Sequence, residues 1–489
     1  MRTISLAGAA LLALAGCASV GPEQGAADVA RLVQERTGAT PRLAPAGSDG
    51  QALAQEIDAL LAQPVSMDGA VRIALLNHPG LQATYWEVGV AQADLAQAAR
   101  LRNPSFGFSR LSGGGERELE RSVGLDLAGL LTMPLRQRME ARRFDAARLA
   151  VAGAIERHAL ETRKAWVEAV AAQQSLAYAR QVNASAEAAA ELMGRMTKAG
   201  NASQLDLARE RAAYAETSAA VLRATRSFEG ARENLTRHLG LWGARAAYAL
   251  PERLPELPAA PHELARIEQA ALERRLDVQA ARLSAGHLAS DLGLTRTTRF
   301  VNVLDIGWHD KRERGEDGGS ARADGYEVSL ELPLFDWGGA RVARAEAVYM
   351  QAVQRVADTA VTARSEARER YLGYRASYDL ARHYRDEVVP LRKKIADETL
   401  LRYNGMLASP FELLLDAREQ AQAVSAYIEA LKEFWLADTA LEGALGGRIE
   451  ASKVPADSQQ AHRHQEHQHH RHHEHRQHQE QKEAKEHRP

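Results

Sequence analysis

The sequence predicts a mainly α-helical chain with a small transmembrane β part, and three observations carry that prediction. The composition is 45% hydrophobic yet only 5% aromatic, with alanine supplying much of the difference. Alanine with Leu, Glu, Arg and Gln is the vocabulary of long helices, because these side chains lose little rotamer freedom there. Two short stretches of period-two apolarity interrupt the helical pattern. Finally, a leader for export is followed by no run of about 20 apolar residues, the length a membrane-crossing helix needs. If the chain spans a bilayer, strands in a closed barrel must do it. The formal net charge of -2 gives no basic field for nucleic acid.

The leader occupies residues 1–16. Arg2 supplies the positive charge and Ile4 to Leu14 the apolar core, too short to span a bilayer but suited to a signal peptide. It ends in Leu14-Ala15-Gly16-Cys17, which resembles a bacterial lipobox, with Cys17 as the lipidated first residue of the mature chain. Ala18 and Ser19 follow, with no aspartate of the kind that retains lipoproteins at the inner membrane, so outer-membrane sorting is expected. Cys17 is the sole cysteine; no intrachain disulfide is possible and packing must supply the stability.

Residues 17–64 read as a tether with a short helix around Ala52 to Leu61. A helix begins near Ser66, whose hydroxyl can cap the first turn. It breaks at Asn77-His78-Pro79-Gly80, since proline disfavours helix in the residue before it, and resumes from Leu81 to about Leu101. Phe106 to Leu111 alternates, Gly113-Gly114-Gly115 turns, and Val123, Leu125 and Leu127 alternate again, which predicts a hairpin. Its return strand has two candidates, Val123 to Leu127 or Leu130 to Pro134. From about Pro134 to Ala199 the pattern is helical, about 100 Å at 1.5 Å per residue. Gly200-Asn201-Ala202-Ser203 turns sharply, and a helix from Gln204 to His238 follows.

The order then repeats, which divides the chain into copies at 65–250 and 258–446, joined by a linker at 251–257. Ala74-Leu75 matches Ala271-Leu272, and Val123-Gly124-Leu125-Asp126-Leu127 matches Val328-Ser329-Leu330-Glu331-Leu332. Gly200 with Ala208-Arg209-Glu210 matches Gly405 with Ala417-Arg418-Glu419. The second hairpin has Phe300, Leu304, Ile306 and Trp308 on one face, and Val301, Val303, Asp305 and His309 on the other. A charged, glycine-rich loop is expected from Lys311 to Gly325. Beyond it Tyr326, Val328, Leu330 and Leu332 face one way, Glu327, Ser329 and Glu331 the other. A soluble sheet with its polar face in bulk water fits this alternation, and so does a barrel with a wet lumen. Four strands are too few to close a barrel, whose smallest versions have about eight, so a barrel requires oligomerisation. Pro390 falls inside a long helix and predicts a kink or a bulge.

Several of these motifs resemble the TolC-like outer-membrane efflux proteins. They are Ala74 to Leu81 with its Asn77-His78-Pro79-Gly80 core, and Asn103-Pro104 before the first strand. Leu332-Pro333-Leu334-Phe335-Asp336 with Gly338-Gly339 follows the last strand, and Arg402-Tyr403-Asn404-Gly405 leads to Glu412-Leu413-Leu414 and Asp416-Ala417-Arg418. The resemblance covers about Ser66 to Gly446. It implies a homotrimer in which each subunit gives four strands to a twelve-stranded barrel in outer-membrane lipid. Its helices would form a periplasmic tunnel of antiparallel coiled coil, docked on a periplasmic adaptor protein and an inner-membrane pump. By the same resemblance, the turns at Gly200 and Gly405 are the periplasmic tips where the aperture opens.

No catalytic constellation is present: no nucleophile elbow, phosphate loop or paired-histidine zinc helix. The chain is not expected to be an enzyme, and it requires no cofactor. For a duct the relevant chemistry is charge at the narrow end, where three-fold repetition turns an inward-facing acid into a ring. Asp206, Glu412 and Asp416 lie just past the tip turns. Arg209 has helix spacing to Asp206, and Arg418 to Asp416 or Glu412; such pairs would latch a closed state or be solvated helix-surface charges. His78, His158, His238, His262, His287, His309 and His383 read singly as surface or helix-end residues, with His309 in the strand region the one of interest.

Residues 447–489 are a polar tail that cannot bury enough apolar surface to fold alone. It carries His462, His464, His467, His469, His470, His472, His473, His475 and His478. Neutral imidazoles suit Cu(II), Zn and Ni, so the tail is expected to bind a transition metal. This favours export of copper, or of zinc, cobalt, nickel or cadmium, the heavy-metal branch of the resemblance. A drug or organic-solvent duct of the same fold and a periplasmic metal-buffering lipoprotein are the alternatives.

Overall fold

A computed structural model describes residues 23–42, 49–300, 303–315, 317–331 and 333–448. Cys17 and the tail histidines His462 to His478 lie outside the described residues. So do Val301 and Leu332, two of the residues assigned above to strand faces.

Each half of the chain runs as a broken helix, a hairpin, a very long helix and a shorter return helix. In the first half, α1 (Glu23–Thr37) and α2 (Asp49–Leu61) precede α3 (Met67–Asn77) and α4 (Pro79–Ala98). Ser66 caps α3 as expected, accepting from the Gly69 N–H. Pro79 opens α4 at the position where its missing N–H costs nothing. The first hairpin pairs β1 (Ser105–Gly113) with β2 (Glu116–Asp126). Helix α5 (Leu127–Lys198) has 72 residues, about 108 Å at 1.5 Å per residue, and α6 (Gln204–Leu239) returns along it.

The second half repeats the order with α7 (Ile267–Arg274), α8 (Leu276–Thr298), β3 (Leu304–Arg314), β4 (Ser320–Leu330), α9 (Gly339–His383), α10 (Val389–Asn404) and α11 (Pro410–Leu445). Between α9 and α10 the chain widens to a π-helix over Tyr384–Val388. This is the bulge expected at Pro390, which has no N–H to offer the preceding turn. The return helices α6 and α11 are each 36 residues long, and both end on a left-handed glycine, Gly240 and Gly446.

Two segments differ from the sequence expectation. Leu130 to Pro134 is helix and not a return strand, because α5 starts at Leu127. The Asp126 side chain caps it by accepting from the Gly129 N–H at 2.5 Å, so the helix begins before Pro134 and carries that proline inside it. Lys311 to Gly325 is mostly strand and not loop. Its charges pair across the ladder, Lys311 Nζ with Glu118 at 2.8 Å and Arg322 Nε with Asp310 at 2.7 Å, and the two strands close where the Gly315 N–H donates to the Gly319 carbonyl at 2.9 Å.

The main apolar cluster packs α1 against α4 and α5 through Val29, Val33, Tyr85, Val88, Val151 and Ile155. Alanines at 152, 159, 165 and 169 are fully buried along α5, which lets neighbouring helices approach closely. Arg163 joins the two halves by bonding Asp68 at 3.1 Å and also Glu442. A second cluster sets Tyr374 and Tyr378 against Phe434, with ring centroids at 5.6 and 5.8 Å. Among the described residues no helix is long and apolar enough to cross a membrane.

Candidate functional site

The four strands form one antiparallel sheet in the order β1-β2-β3-β4. Cross-strand partners share a face, so the register assigns the faces directly. Phe106, Val123, Trp308 and Tyr326 stand in one row, and Leu125, Ile306 and Val328 in the next toward the helices. These side chains have no protein layer over them: Tyr326 is 85% exposed, and below the strands Phe335 is 100% exposed. The opposite face carries Glu118, Glu120, Glu313 and Glu327 among serines and glycines. His309 belongs to this polar face, as the alternation predicts. Its Nδ1 lies 3.1 Å from Glu120 and its Nε2 2.5 Å from Glu327, one carboxylate on each neighbouring strand. The outer strands β1 and β4 each have one unpaired edge within a single chain.

At the far ends of the long helices the two tips are built alike. At the first, Gly200 is left-handed at φ +79°, and the Asn201 N–H reaches the Met196 carbonyl at 2.9 Å. At the second the left-handed residue is Met406, φ +58°, not Gly405, which has an ordinary φ of -82°. The Leu407 N–H closes this turn on the Arg402 carbonyl at 2.8 Å. The structural counterpart of Gly200 is therefore Met406, one residue past the glycine that the sequence match selects. Ser203 and Ser409 then cap α6 and α11, and Asp206 and Glu412 complete capping boxes by accepting from the backbone N–H groups of those serines.

The expected pairing at the tips holds for one arginine and fails for the other. Arg209 Nη1 lies 3.6 Å from Asp206. Arg418 does not pair with Asp416 or Glu412; it bonds Glu210 on α6, a carboxylate only 4% exposed. Glu412 is turned back onto the Ser409 N–H at 2.9 Å and Asp416 accepts from Thr399 Oγ1 at 2.5 Å. Both acids of α11 are thus occupied before Arg418 could reach them.

Midway, the breaks between α3 and α4 and between α7 and α8 rest on the ends of the return helices. A Cβ on Gly240 would lie 2.9 Å from the His78 Cα, and one on Gly446 2.8 Å from the backbone of Arg274 and Arg275. Asn77 Nδ2 donates to the carbonyls of Leu239 and Gly240 at 3.1 and 2.7 Å. This contact gathers three histidines that looked unrelated in sequence. His78 and His158 have ring centroids 4.3 Å apart, His158 and His238 5.4 Å. His158 Nε2 lies 3.0 Å from the His238 carbonyl. Burial lowers all three from the usual histidine range, His158 to about 4, so they are neutral at ordinary pH. Among the described residues no group of three or more His, Cys, Asp or Glu is arranged to hold a metal ion.

No protein-family model and no curated protein matches the chain. Solved structures do match. A membrane protein from Pseudomonas aeruginosa superimposes with a TM-score of 0.67 at 20% identity, over 78% of this chain and 93% of its own. The outer membrane protein VceC from Vibrio cholerae gives 0.64 at 19% identity over 78% and 97%. CusC, described by its transmembrane channel formation, gives 0.64 at 16% identity over 79% and 93%. At these identities the likeness is one of fold, and it takes in nearly the whole length of those three proteins.

Proposed function

We propose that the chain is the outer-membrane channel of a tripartite efflux system, a TolC-like homotrimer anchored through a lipid on Cys17. The observation that carries this reading is the sheet. Its apolar face is bare, its opposite face is lined with carboxylates, and its two outer edges are unpaired. The bare apolar face and the open edges are unfavourable for an isolated chain in water, since both invite association. Both are resolved when three copies join edge to edge into a twelve-stranded barrel with the apolar face in lipid, which also keeps the acids hydrated around a wet lumen. The long helices then extend into the periplasm, where their tips meet an adaptor protein served by an inner-membrane pump.

Acidic rows around a lumen favour cations, and the histidine-rich tail from His462 to His478 supplies ligands for Cu(II), Zn, Co, Ni or Cd. These two features support a transition-metal cargo over a drug or solvent. At the tips, Arg418 with the buried Glu210 ties α11 to α6 and serves as the latch of the resting aperture; Asp206, Arg209, Glu412 and Asp416 shape the turns beside it.

The test is direct. The mature protein should purify from membranes as a heat-modifiable trimer and conduct ions in planar bilayers with cation selectivity. A freely soluble monomer without conductance would end the proposal. Removing residues from His462 onward should reduce metal tolerance of the host and leave drug tolerance intact; the opposite pattern would transfer the cargo to organic compounds.

A further inference from the structure

We propose that the hairpin end of the sheet's apolar face is a binding surface for phosphorylated lipid headgroups, an inference that rests on the barrel reading above. Followed from the helices outward, this face runs through three apolar rows, the first being Leu304 with Leu330, and then changes character. The next rows hold Arg121, then Arg110, Arg312 and Arg322, then Arg117 and Arg314, all on the same face by register. Two acids share the region, Asp310 and Asp324. Asp310 is 2% exposed and is used up internally, with Arg322 Nε at 2.7 Å and Arg312 Nε at 3.5 Å. Among the described residues Arg110, Arg117, Arg121 and Arg314 have no carboxylate partner. Five of the six arginines line one concavity of about 660 Å³, which Glu118 and Glu313 also line; Lys311 pairs with both of these acids.

Two features distinguish this group from ordinary solvated charge. Arginines stand on one face only: at the same level the other face carries Glu118, Glu120 and Glu313, with its one lysine, Lys311, neutralised between Glu118 and Glu313 at 2.8 Å each. They also occupy one end only, directly beyond Trp308 and Tyr326. Arginine facing hydrocarbon is costly at mid-depth and tolerated at the interface, so these rows sit at headgroup level. A guanidinium fork matches phosphate oxygens bidentately. Apolar rows followed immediately by arginine rows reproduce the order of acyl chain and phosphate in an amphiphile. A free phosphate ion would use only the arginines.

The experiment titrates the purified trimer in mild detergent with lipid A, with a dephosphorylated lipid A, and with inorganic phosphate. Conductance in phosphatidylcholine bilayers is recorded on the same preparations. Lipid A should bind in a salt-dependent manner. The double variants Arg110→Gln with Arg312→Gln, and Arg117→Gln with Arg314→Gln, should each weaken binding at least about tenfold and remain conducting trimers. Lys311→Gln, on the opposite face, should bind lipid A as the parent does. Equal binding by parent and double variants, equal binding of the dephosphorylated lipid, or full competition by inorganic phosphate would overturn the inference while conductance leaves the barrel standing. Absence of conductance from the parent protein would remove the barrel and this surface with it.

Discussion

Replacing Glu156 by glutamine should strengthen the attachment of α1 to α5, and the gain should depend on pH. Glu156 is 7% exposed, and its Oε1 has no hydrogen-bond partner. The nearest cation, Arg36 Nε on α1, is 4.0 Å from the other oxygen. Burial therefore outweighs the attraction of Arg36 and raises the carboxyl from 4.5 to about 7, with Asp277 adding to the rise. A carboxyl with a raised native pKa holds its proton more tightly folded than unfolded. Below about pH 4.5 it is protonated in both states and costs nothing. As pH climbs from there to about 7 the native state loses stability, and above that the loss is constant. At about 1.4 kcal/mol per unit, the full difference is about 3 kcal/mol. Glutamine, which carries no charge, removes this cost. Native-state hydrogen exchange of Val29, Val33 and Ile155 reads the opening of this helix contact, and comparing parent and Glu156→Gln at one pH cancels the intrinsic exchange rates. Protection in the variant should match the parent near pH 4.5 and exceed it by up to about 3 kcal/mol near pH 8. A difference that is the same at both pH values would refute the reasoning, because it would mean that the carboxylate is not carrying a buried charge.

Arg418→Gln leaves the nearly buried Glu210 without its cation and should raise single-channel conductance or open probability several-fold, whereas Glu412→Gln, which disturbs only a helix cap worth about 1 kcal/mol, should leave conductance unchanged. Gly240→Ala and Gly446→Ala each place a Cβ within 3 Å of backbone at a left-handed residue; each should cost more than about 1–2 kcal/mol and lower the temperature of trimer dissociation. Gly230→Ala, in helix α6 with nothing within 4 Å of the new Cβ, should be neutral or stabilising by about 0.5–1 kcal/mol. The depressed His158 should make the middle of the helical region acid-sensitive: stability falls as pH drops below about 6.5, where the unfolded chain gains a proton the native site resists, and levels off below about 4. His158→Asn should flatten that dependence, as followed by hydrogen exchange of α5 and α6.

What the sequence disclosed was whatever depends on neighbours along the chain. The Ser66 cap, the break at Pro79, the bulge ahead of Pro390 and the alternation of Glu327 with Val328 are fixed within a few residues, and each is found in the fold. What it withheld needs two elements side by side. Helix spacing could offer Arg418 only the acids of its own helix, and its actual partner Glu210 comes from α6. The histidines at 78, 158 and 238 sit on three different elements, so no local pattern marks them as a cluster. The charged run after Lys311 resembles a loop as long as its charges have no partners along the chain. Paired with β2 and β4 it is a ladder.

The same distinction explains which parts of the two halves stayed alike. The return helices have equal length, and both run from a serine capping box to a left-handed glycine. That glycine is pressed on the break of the half's own first helix, by His78 in one half and by Arg274 and Arg275 in the other. Length cannot drift there: a residue gained or lost between cap and glycine would rotate α6 or α11 by about 100° and pull the tip turn away from its partner helix. The hairpins have no such double anchor. β1 has 9 residues and β3 has 11, and the turns differ as well. By register β1 and β3 reach the same outer level, Ser112 beside Arg117 beside Arg314, and the extra length of β3 lies at the helix end, where Leu304, Asp305 and Ile306 have no counterpart in β1. The helical halves are held by contacts at both ends, whereas a sheet that continues across subunits requires its rows to align only side by side, so the hairpins differ in strand length and turn.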